Sequence, residues 1–450
     1  MSGVRHSGSS EAAAGQELWG PETAKAIANF PISGEPIPVP LRRWLGRIKA
    51  AAARVHSELG LLEPDKGERI GAAADRVASG ELDDQFPVDL FQTGSGTSSN
   101  MNANEVIARL AGADVHPNDD VNMGQSTNDV FPTAIQLAAL AEITEQLLPA
   151  LDGLAESLER KAAEFDDILK SGRTHLMDAV PMTLGQEFGG YAAQLREGKA
   201  RIESTLGRLG KVPLGGTAVG TGLNTHPEFA QRVRARLARE TGLTILPPAD
   251  PFEGQATRDA VVETSGALKT LAVSLTKIAN DIRLLASGPR AGLAELVLPE
   301  LQKGSSIMPG KVNPVLPEVV TQVAAQVIGN DAAITVAGLQ GHLELNAFMP
   351  VLARNLFDSI ELLTNACRAF DEKCVRGIEA NREQAERYAE LTLSAATALN
   401  PYIGYDRASE IVKQAVATGR PLREVARDAG VDDKTLAEAL DYRRMAKPHE

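Results

Sequence analysis

Long stretches of helical periodicity constrain the fold of this 450-residue chain more than any other feature. Across residues 131–165, apolar side chains recur at spacings of three and four with almost no break. At the standard rise of an α-helix such a stretch spans ~50 Å. Comparable patterns predict helices over residues 184–209, 253–286, 318–334 and 351–376. Since no strand pattern separates them, we predict an all-α fold with an elongated bundle of long central helices.

The composition indicates how these helices pack. Apolar residues make up 43% of the chain but aromatic residues only 4%, so the cores consist mainly of Ala, Leu, Val and Ile. Several helices are apolar on more than one face, as in LAVSLTKIANDIRLLA over residues 271–286. A helix of this kind packs against more than one neighbour. We therefore expect bundles to pack against bundles in a homo-oligomer.

The helical pattern changes twice along the chain. Short helices broken by Pro and Gly come first, then the long helices, and a tail of short helices begins beyond Asn381. A chain of this length has room for roughly two to four domains. We predict an N-terminal, mainly helical domain (1–125), a central long-helix bundle (126–381) and a small C-terminal helical domain (382–450).

Charge and cysteine content limit the partners and the compartment. The formal net charge is −13, whereas a surface that binds nucleic acid needs clustered Lys and Arg. No apolar run reaches the length of a membrane span, and MSGVRHSGSSEAAAGQ lacks the apolar segment of a targeting peptide. Cys367 and Cys374 fit buried, reduced thiols in a helix. We expect a soluble cytoplasmic protein that binds neither nucleic acid nor membrane.

The common motifs for metals and nucleotides are absent from the sequence. HExxH, CxxC and GxGxxG do not occur, so we predict no metal and no cofactor. The stretch KGSSIMPGKVNPVLPE, residues 303–318, has the Gly-Lys pair of a phosphate-binding loop. Five residues rather than four separate Gly304 from Gly310, however, and Val312 stands where a hydroxyl is required. Its hydroxyls, glycines, lysine and amides indicate a mobile loop that binds a different anion.

Uncharged polar residues are concentrated in four segments. Besides the loop of residues 303–318, these are TGSGTSSNMNANE (93–105), HPNDDVNMGQSTND (116–129) and SGRTHLMDAVPMT (171–183). Ser, Thr, Asn and Asp are also the usual residues of helix caps and turns, so each segment alone has a structural explanation. His175 can be explained as a structural histidine. Glu318 can be explained as an acidic residue in the first turn of a helix, where the helix dipole favours it. Spacing alone does not show that the segments converge.

Taken together, the four segments resemble those of the class II fumarases, the metal-independent fumarate hydratases of the aspartase/fumarase superfamily. The similarity extends from about Leu18 to the C-terminal tail. The loop matches every fixed position of the superfamily signature GSSxMPxKxNP, namely Gly304, Ser305, Ser306, Met308, Pro309, Lys311, Asn313 and Pro314.

The resemblance implies reversible anti elimination of water from (S)-malate to give fumarate. Removing a proton next to a carboxylate leaves a doubly charged aci-carboxylate, which needs preorganised donors and cations. By resemblance, Ser305 on the mobile loop is the base at C3, while Lys311 and Asn313 bind a substrate carboxylate. His175 acts through a bound water on the departing hydroxyl, and Glu318 pairs with His175 and raises its basicity.

The remaining polar residues are implied to contact the substrate. Ser95 and Thr97 correspond to substrate and water contacts, and Thr174 lies beside His175 in the same segment. The second carboxylate is implied to be held by Ser126, Thr127 and Asn128. The family also implies an all-helical subunit of three domains and a homotetramer in which the central bundles form one helical core. Each active site takes residues from three subunits and binds a small dicarboxylate without a cofactor.

Two features depart from the family pattern. Relatives usually begin with a charged stretch that runs into Val-Pro just before the Leu-Trp-Gly found here at residues 18–20, whereas this chain has a leader rich in Gly, Ser and Ala. Some relatives carry basic residues just before HPNDD, which form an accessory dicarboxylate site. Ala113 and Asp114 occupy those positions here, so we do not predict that site.

Two other functions are compatible with the same scaffold. Aspartase eliminates ammonia from aspartate, and NPVLPEVV and LNPYIGYD look as much like aspartase as fumarase. Three features favour fumarase: His175, which is usually Gln in aspartases, Gly310, which is usually Ala, and TGSGTSSN, where aspartases tend to read GGAGTS. The other possibility is a non-catalytic homologue, such as the lens proteins recruited from this superfamily. Such a protein would have lost polar residues that this chain retains.

Overall fold

The computed structural model describes residues 17–304 and 306–447, and helices dominate it, which confirms the predicted all-α class. The chain divides into two compact units. The first unit comprises the described residues of Met1–Glu142, Thr205–Ser265 and Asn330–Asp358. The second comprises the described residues of Ile143–Ser204, Gly266–Gly329 and Ser359–Glu450. The leader and Ser305, for which the sequence makes predictions, lie outside the described residues.

The α-helices are, in chain order, α1 (Pro21–Asn29), α2 (Val39–Glu58), α3 (Pro64–Ser79), α4 (Thr97–Ala111), α5 (Thr127–Glu142), α6 (Leu148–Glu164), α7 (Leu184–Leu209), α8 (Phe229–Thr241), α9 (Pro251–Ala256), α10 (Asp259–Leu285), α11 (Val315–Gly338), α12 (Met349–Lys373), α13 (Arg382–Leu391), α14 (Asn400–Ile403), α15 (Tyr405–Thr418), α16 (Leu422–Asp428), α17 (Asp433–Ala439) and α18 (Tyr442–Met445). The strands are β1 (Leu169–Thr174), β2 (Met177–Thr183), β3 (Leu296–Val297), β4 (Gly341–His342), β5 (Leu345–Asn346) and β6 (Glu379–Ala380). Short 3-10 turns lie at Asp83–Gln85, Val375–Gly377 and Leu393–Leu399, and π-helical turns at Pro117–Val121 and Ile143–Leu147.

The long helices follow the predicted apolar patterns, with two interruptions. α7 has the predicted bounds, and α5, the π-helical turn and α6 follow one another where a single long helix was predicted. The predicted helix over residues 253–286 is broken between α9 and α10. At this break the buried guanidinium of Arg258 donates hydrogen bonds to the carbonyls of Gly254 and Gln255. Arg258 thus satisfies carbonyls at the end of α9 that a continuing helix would have used.

A β-hairpin that the sequence did not predict connects α6 to α7. β1 pairs antiparallel with β2, with Leu169 opposite Thr183 and Thr174 opposite Met177. The two strands contain Gly172 and Pro181, residues that are depleted in strands, which is why their sequence reads as a loop. Long-range contacts in the folded chain therefore outweigh the low strand propensity of these residues.

The N-terminal segment of the first unit is held by a buried carboxylate. Glu105, on α4, accepts hydrogen bonds from the backbone N–H groups of Gly20, Glu22 and Thr23. It also accepts one from the hydroxyl of Thr23, at 2.6 Å. Because the first N–H groups of a helix have no partner within the helix, Glu105 acts as the N-terminal cap of α1.

The C-terminal helices of the second unit have a hydrophobic core of their own, which includes Leu399, Ile411, Val425 and Leu436. The two cysteines, Cys367 and Cys374, are buried and not joined by a disulfide. Across residues 17–304 and 306–447, no helix combines the length and the apolar character needed to cross a bilayer. No cluster of three or more potential metal ligands was found among the same residues.

Candidate active site

The predicted site residues fall into two sets, one in each unit. The first unit contains Ser95, Thr97, Ser126, Thr127 and Asn128, and the second contains Thr174, His175, Lys311, Asn313 and Glu318. Ser305, the predicted base, lies outside the described residues. Each set is described within its own unit.

The segment TGSGTSSN leads into α4 through two tightly packed glycines. Gly96 has a φ of +82°, and a Cβ there would lie 2.6 Å from the ring of Phe131 on α5. A Cβ on Gly94 would lie 1.8 Å from the carbonyl oxygen of Ala347. Between these contacts, the buried hydroxyl of Ser95 lies 2.7 Å from the hydroxyl of Thr97. The two predicted contact residues are therefore adjacent, and glycine is required on either side of Ser95.

Ser126, Thr127 and Asn128 form the N-terminus of α5. The backbone N–H of Asn128 donates to the Ser126 hydroxyl at 3.2 Å, and the Asn128 side chain donates to the Ala218 carbonyl at 2.9 Å. The Oγ1 atom of Thr127 accepts a hydrogen bond of 3.0 Å from Asn100, which lies on α4. Each hydroxyl accepts a hydrogen bond from the protein, which leaves its hydrogen available to an anion. A helix N-terminus with spare donors favours a carboxylate.

A fully buried carboxylate lies beneath this helix start. Asp129 accepts hydrogen bonds from the backbone N–H groups of Ser126, Gly215 and Thr217, at 2.9–3.1 Å. Burial raises the pKa of Asp129 to about 6, although the three amides and the nearby Lys49 act in the opposite direction. Asp129 thereby fixes residues 215–217 against the N-terminus of α5.

Lys49 is a buried cation that the sequence reading missed. It lies on α2, which contacts α5, and it donates hydrogen bonds to the side-chain oxygens of Asn122 (2.7 Å) and Gln125 (3.0 Å). Burial lowers the pKa of Lys49 to about 7, against the attraction of Asp129. A sequence signal did exist, because positions 45, 48, 52 and 53 of the same helix are all apolar and buried. A cation on such a buried face predicts a buried polar partner.

An open cavity of about 410 Å³ lies over this part of the first unit. Its lining includes Asn122, Gly124, Ser126, Thr217 and Ala218. The volume is within the usual range for a small-molecule site. Ser126 and the hydrogen-bond partner of Asn128 therefore border space that a small ligand can enter.

In the second unit, Thr174 and His175 occupy the tip of the β1–β2 hairpin. Both are exposed, and His175 and Leu176 have positive φ values of 57° and 62°. No hydrogen bond or ion pair joins the side chain of His175 to another described residue. The structure describes no contact between His175 and Glu318, which is half-buried in the first turn of α11. Within one chain, therefore, the predicted pair is not formed among the described residues.

Strand β1 of this hairpin carries two cations that belong to a buried cluster of charges. Arg173 makes two hydrogen bonds, of 2.8 and 3.1 Å, to Glu295, whose side chain is fully buried. Lys170, also buried, lies 2.5 Å from Glu187 and 3.6 Å from Glu295. The guanidinium of Arg173 also lies over the ring of Tyr388. Removing one member of such a cluster leaves an unpaired buried charge, so the cluster holds the hairpin in one geometry.

The signature loop closes on itself near its ends. The side-chain amide of Asn313 donates a hydrogen bond to the Gly304 carbonyl, and a Cβ on Gly304 would collide with the carbonyl of Lys311. The side chain of Lys311 is exposed. Lys311 thus presents a cation to solvent, while Asn313 uses one amide hydrogen to close the loop.

Comparisons with known proteins identify the family. The family model described as "Lyase" matches residues 11–329, and the model described as "Fumarase C C-terminus" matches residues 396–447. A Mycobacterium tuberculosis protein named "Fumarate hydratase class II" is 55% identical over 431 residues, which cover 95% of this chain and 91% of that protein. The chain belongs to the class II fumarate hydratase family.

Solved structures of class II fumarate hydratase relatives have the same fold. A class II fumarase from Schistosoma mansoni is 38% identical, has a TM-score of 0.94 and is matched over 97% of both chains. A Brucella melitensis structure described as "fumarate lyase:delta crystallin", bound to cobalt, is 48% identical, with a TM-score of 0.92 and 96% coverage of both chains. The fold implied by the sequence resemblance is therefore confirmed.

Gly94→Ala tests whether the close packing of the TGSGTSSN segment positions Ser95 and Thr97. The added methyl cannot fit beside the backbone of Ala347, so the segment has to shift. Displacements of about 1 Å can cost on the order of 100-fold in activity, and we expect fumarate to bind at least about tenfold more weakly by isothermal titration calorimetry.

Gly207→Ala is the matched control. Gly207 lies in α7 with no atom near the added methyl, so this variant should bind fumarate normally and gain about 0.5–1 kcal/mol of stability. Unchanged fumarate affinity in a folded Gly94→Ala protein would contradict the proposed packing role.

Proposed function

We propose that this protein is a fumarate hydratase that interconverts (S)-malate and fumarate by anti elimination and addition of water. The observation that carries the proposal is the 55% identity to the M. tuberculosis class II fumarate hydratase across 95% of this chain. It is supported by the polar residues at the start of α5, which suit a carboxylate, and by the open cavity beside them.

The chemical difficulty of the reaction is the weak acidity of the C3 hydrogen of malate. A base takes this proton, and the electron pair is delocalised into the neighbouring carboxylate as an aci-carboxylate. The C2–O bond then breaks, the C2–C3 double bond forms, and the hydroxyl leaves as water after it receives a proton. Because negative charge builds up on the carboxylate, donors and cations that are already in position lower the barrier.

The first unit supplies the donors for one carboxylate in this proposal. Ser126 and Thr127 offer their hydroxyl hydrogens, and Asn128 its second amide hydrogen, at the N-terminus of α5. Ser95 and Thr97 would contact the substrate and the leaving water through their paired hydroxyls. The helix dipole adds partial positive charge at this end, which favours a bound carboxylate.

The second unit would supply the proton transfers. Ser305 is proposed to be the base at C3, activated by the loop amides and by a cation, for which Lys311 is the candidate. Lys311 and Asn313 would bind the carboxylate on which charge develops. His175, with Thr174 beside it and Glu318 as its partner, would protonate the departing hydroxyl through a bound water.

We also propose a homotetramer with active sites shared between subunits. Large apolar side chains are exposed on the long helices of the second unit, including Val273 on α10 and Val319 and Ile328 on α11. Exposed apolar groups on long helices favour association. The exposed His175, unpaired with Glu318 among the described residues, would find its partner on another subunit. The proposed domains are 1–125, 126–381 and 382–450, and the buried free thiols fit a cytoplasmic location.

The proposed function is tested by giving purified protein malate and, separately, aspartate. Formation of the fumarate double bond is followed by ultraviolet absorbance. We expect turnover of malate and none of aspartate, because His175 and Gly310 fit fumarases rather than aspartases. Turnover of aspartate but not malate would identify an ammonia-lyase, and no turnover of either would favour a non-catalytic homologue.

Ser305→Ala tests the identity of the base. Removing a general base typically lowers turnover by about 10²- to 10⁴-fold, and we expect a loss of that size with malate while the assembly stays intact. Ser306→Ala is the matched control, since it removes the neighbouring hydroxyl and leaves Ser305 in place. It should retain far more activity. Near-normal turnover by Ser305→Ala would exclude Ser305 as the base.

Ile328→Asp tests the proposed assembly. A carboxylate in a buried interface costs several kcal/mol, so light scattering should show a tetramer for the unaltered protein and smaller, inactive species for this variant. Val416→Asp, at an exposed position of α15, is the matched control and should remain tetrameric. A monomeric, active unaltered protein at micromolar concentration would rule the assembly out.

A further inference from the structure

Lys49 is a buried charge for which the proposed mechanism has no role. Its side chain is fully buried on α2, and the structure describes no salt bridge between its ammonium and a carboxylate. The titratable groups that face it are Asp129 on α5, which attracts it, and His56 on its own helix, whose pKa burial lowers to about 4, so that it is neutral near pH 7. A buried cation is costly unless its hydrogen bonds are satisfied, so the hydrogen bonds of Lys49 indicate what it does.

The ammonium of Lys49 fixes the orientation of two side-chain amides. An ammonium group has donors and no acceptor, so Asn122 and Gln125 must both turn their oxygens toward it. The NH₂ group of Gln125 is then left to donate to the carbonyls of Val121 and Met123, both at 3.1 Å. This anchors the turn that leads into α5.

The orientation of Asn122 is passed on to Thr127. Asn122 Oδ1 also accepts a hydrogen bond of 3.3 Å from Asn100, so Asn100 must turn its NH₂ group toward it. The same NH₂ group donates to Thr127 Oγ1 at 3.0 Å. Thr127 is therefore an acceptor within the protein. Its hydroxyl hydrogen has no acceptor among the described residues and is free for a ligand.

We propose that Lys49 is a positioning residue that makes the Thr127 hydroxyl a hydrogen-bond donor to a substrate carboxylate. It acts through Asn122 and Asn100 and does not touch the substrate. The identity of that substrate as a dicarboxylate rests on the proposed function. Without a donor-only group at position 49, both amides could rotate, and Thr127 could then donate to Asn100 instead of the ligand.

A double-mutant cycle tests this relay. The affinity for fumarate is measured by calorimetry for the unaltered protein, Lys49→Met, Thr127→Val and the double variant. A hydrogen bond to a charged group is worth about tenfold or more in affinity, so we expect each single variant to lose about tenfold. In the Thr127→Val background, however, Lys49→Met should change the affinity less than about twofold, because the hydroxyl it orients is gone.

Equal losses from Lys49→Met in both backgrounds would overturn the proposal, since they would mean that Lys49 acts independently of Thr127. If Lys49→Met fails to fold, Asn100→Leu tests the same relay at its next residue. The Oδ1 atom of Asn100 is buried without a partner, so leucine removes the donor to Thr127 at little structural cost. Its effect on fumarate affinity should likewise nearly disappear in the Thr127→Val background, and equal losses would again overturn the relay.

Gln136→Met separates loss of stability from loss of positioning. Gln136 is a buried residue of α5 that donates to the carbonyls of Leu209 and Lys211, outside the relay. This variant should melt at a lower temperature with unchanged fumarate affinity. Malate turnover by the unaltered protein tests the proposed function separately. If the effect of Lys49→Met on fumarate affinity depends on Thr127 but the unaltered protein does not turn over malate, the relay is supported and the proposed activity is rejected. If malate is turned over but Lys49→Met weakens fumarate binding equally in both backgrounds, the activity is supported and the relay is rejected.

Discussion

One buried carboxylate determines the geometry of the N-terminus of α5, where we propose that a substrate carboxylate binds. Asp129 accepts N–H groups from Ser126, at the helix start, and from Gly215 and Thr217, in a loop distant in sequence. The N–H of Thr217 is buried and would otherwise lack a partner, and those of Ser126 and Gly215 are partly buried. Because burial favours the protonated form of Asp129, the amides and the nearby Lys49 are what sustain its charge. Helix start, loop and cation therefore depend on one another.

Much of the fold could be predicted from the sequence, because long helices carry their signal within each helix. The apolar spacing that predicted α7 and α11 depends only on residues a few positions apart. The β1–β2 hairpin could not be predicted in the same way. Its strands contain Gly172 and Pro181, and the ion pair that holds it joins Arg173 to Glu295, 122 residues away in sequence. Nothing local to the hairpin indicates that partner.

The residues of the candidate site likewise differ in how well the sequence predicts them. Residues expected to touch the substrate, such as Ser126 and Thr127, lie in dense polar segments that match a known family pattern. Of the residues that support them, Asn100 and Asp129 lie in the same polar segments, but their roles depend on contacts that the segments do not reveal. Lys49 lies outside these segments and has no motif of its own. The sequence does show Lys49 as a cation on an apolar helix face. A lysine in that position is usually explained by an aliphatic stem that packs on the apolar surface while the ammonium reaches water, unless its partners are known.

The hairpin that presents Thr174 and His175 has a consequence for how a shared site would form. Its tip is exposed, but Arg173, the residue before Thr174, is held by an ion pair with the fully buried Glu295. This ion pair restricts the backbone next to the tip within each chain, before any subunit meets another. Groups that are rigid beforehand lose little further entropy on docking. In the proposed tetramer, the backbone that carries His175 would already be ordered when it meets a neighbouring subunit. Assembly would then not have to provide the free energy for ordering it.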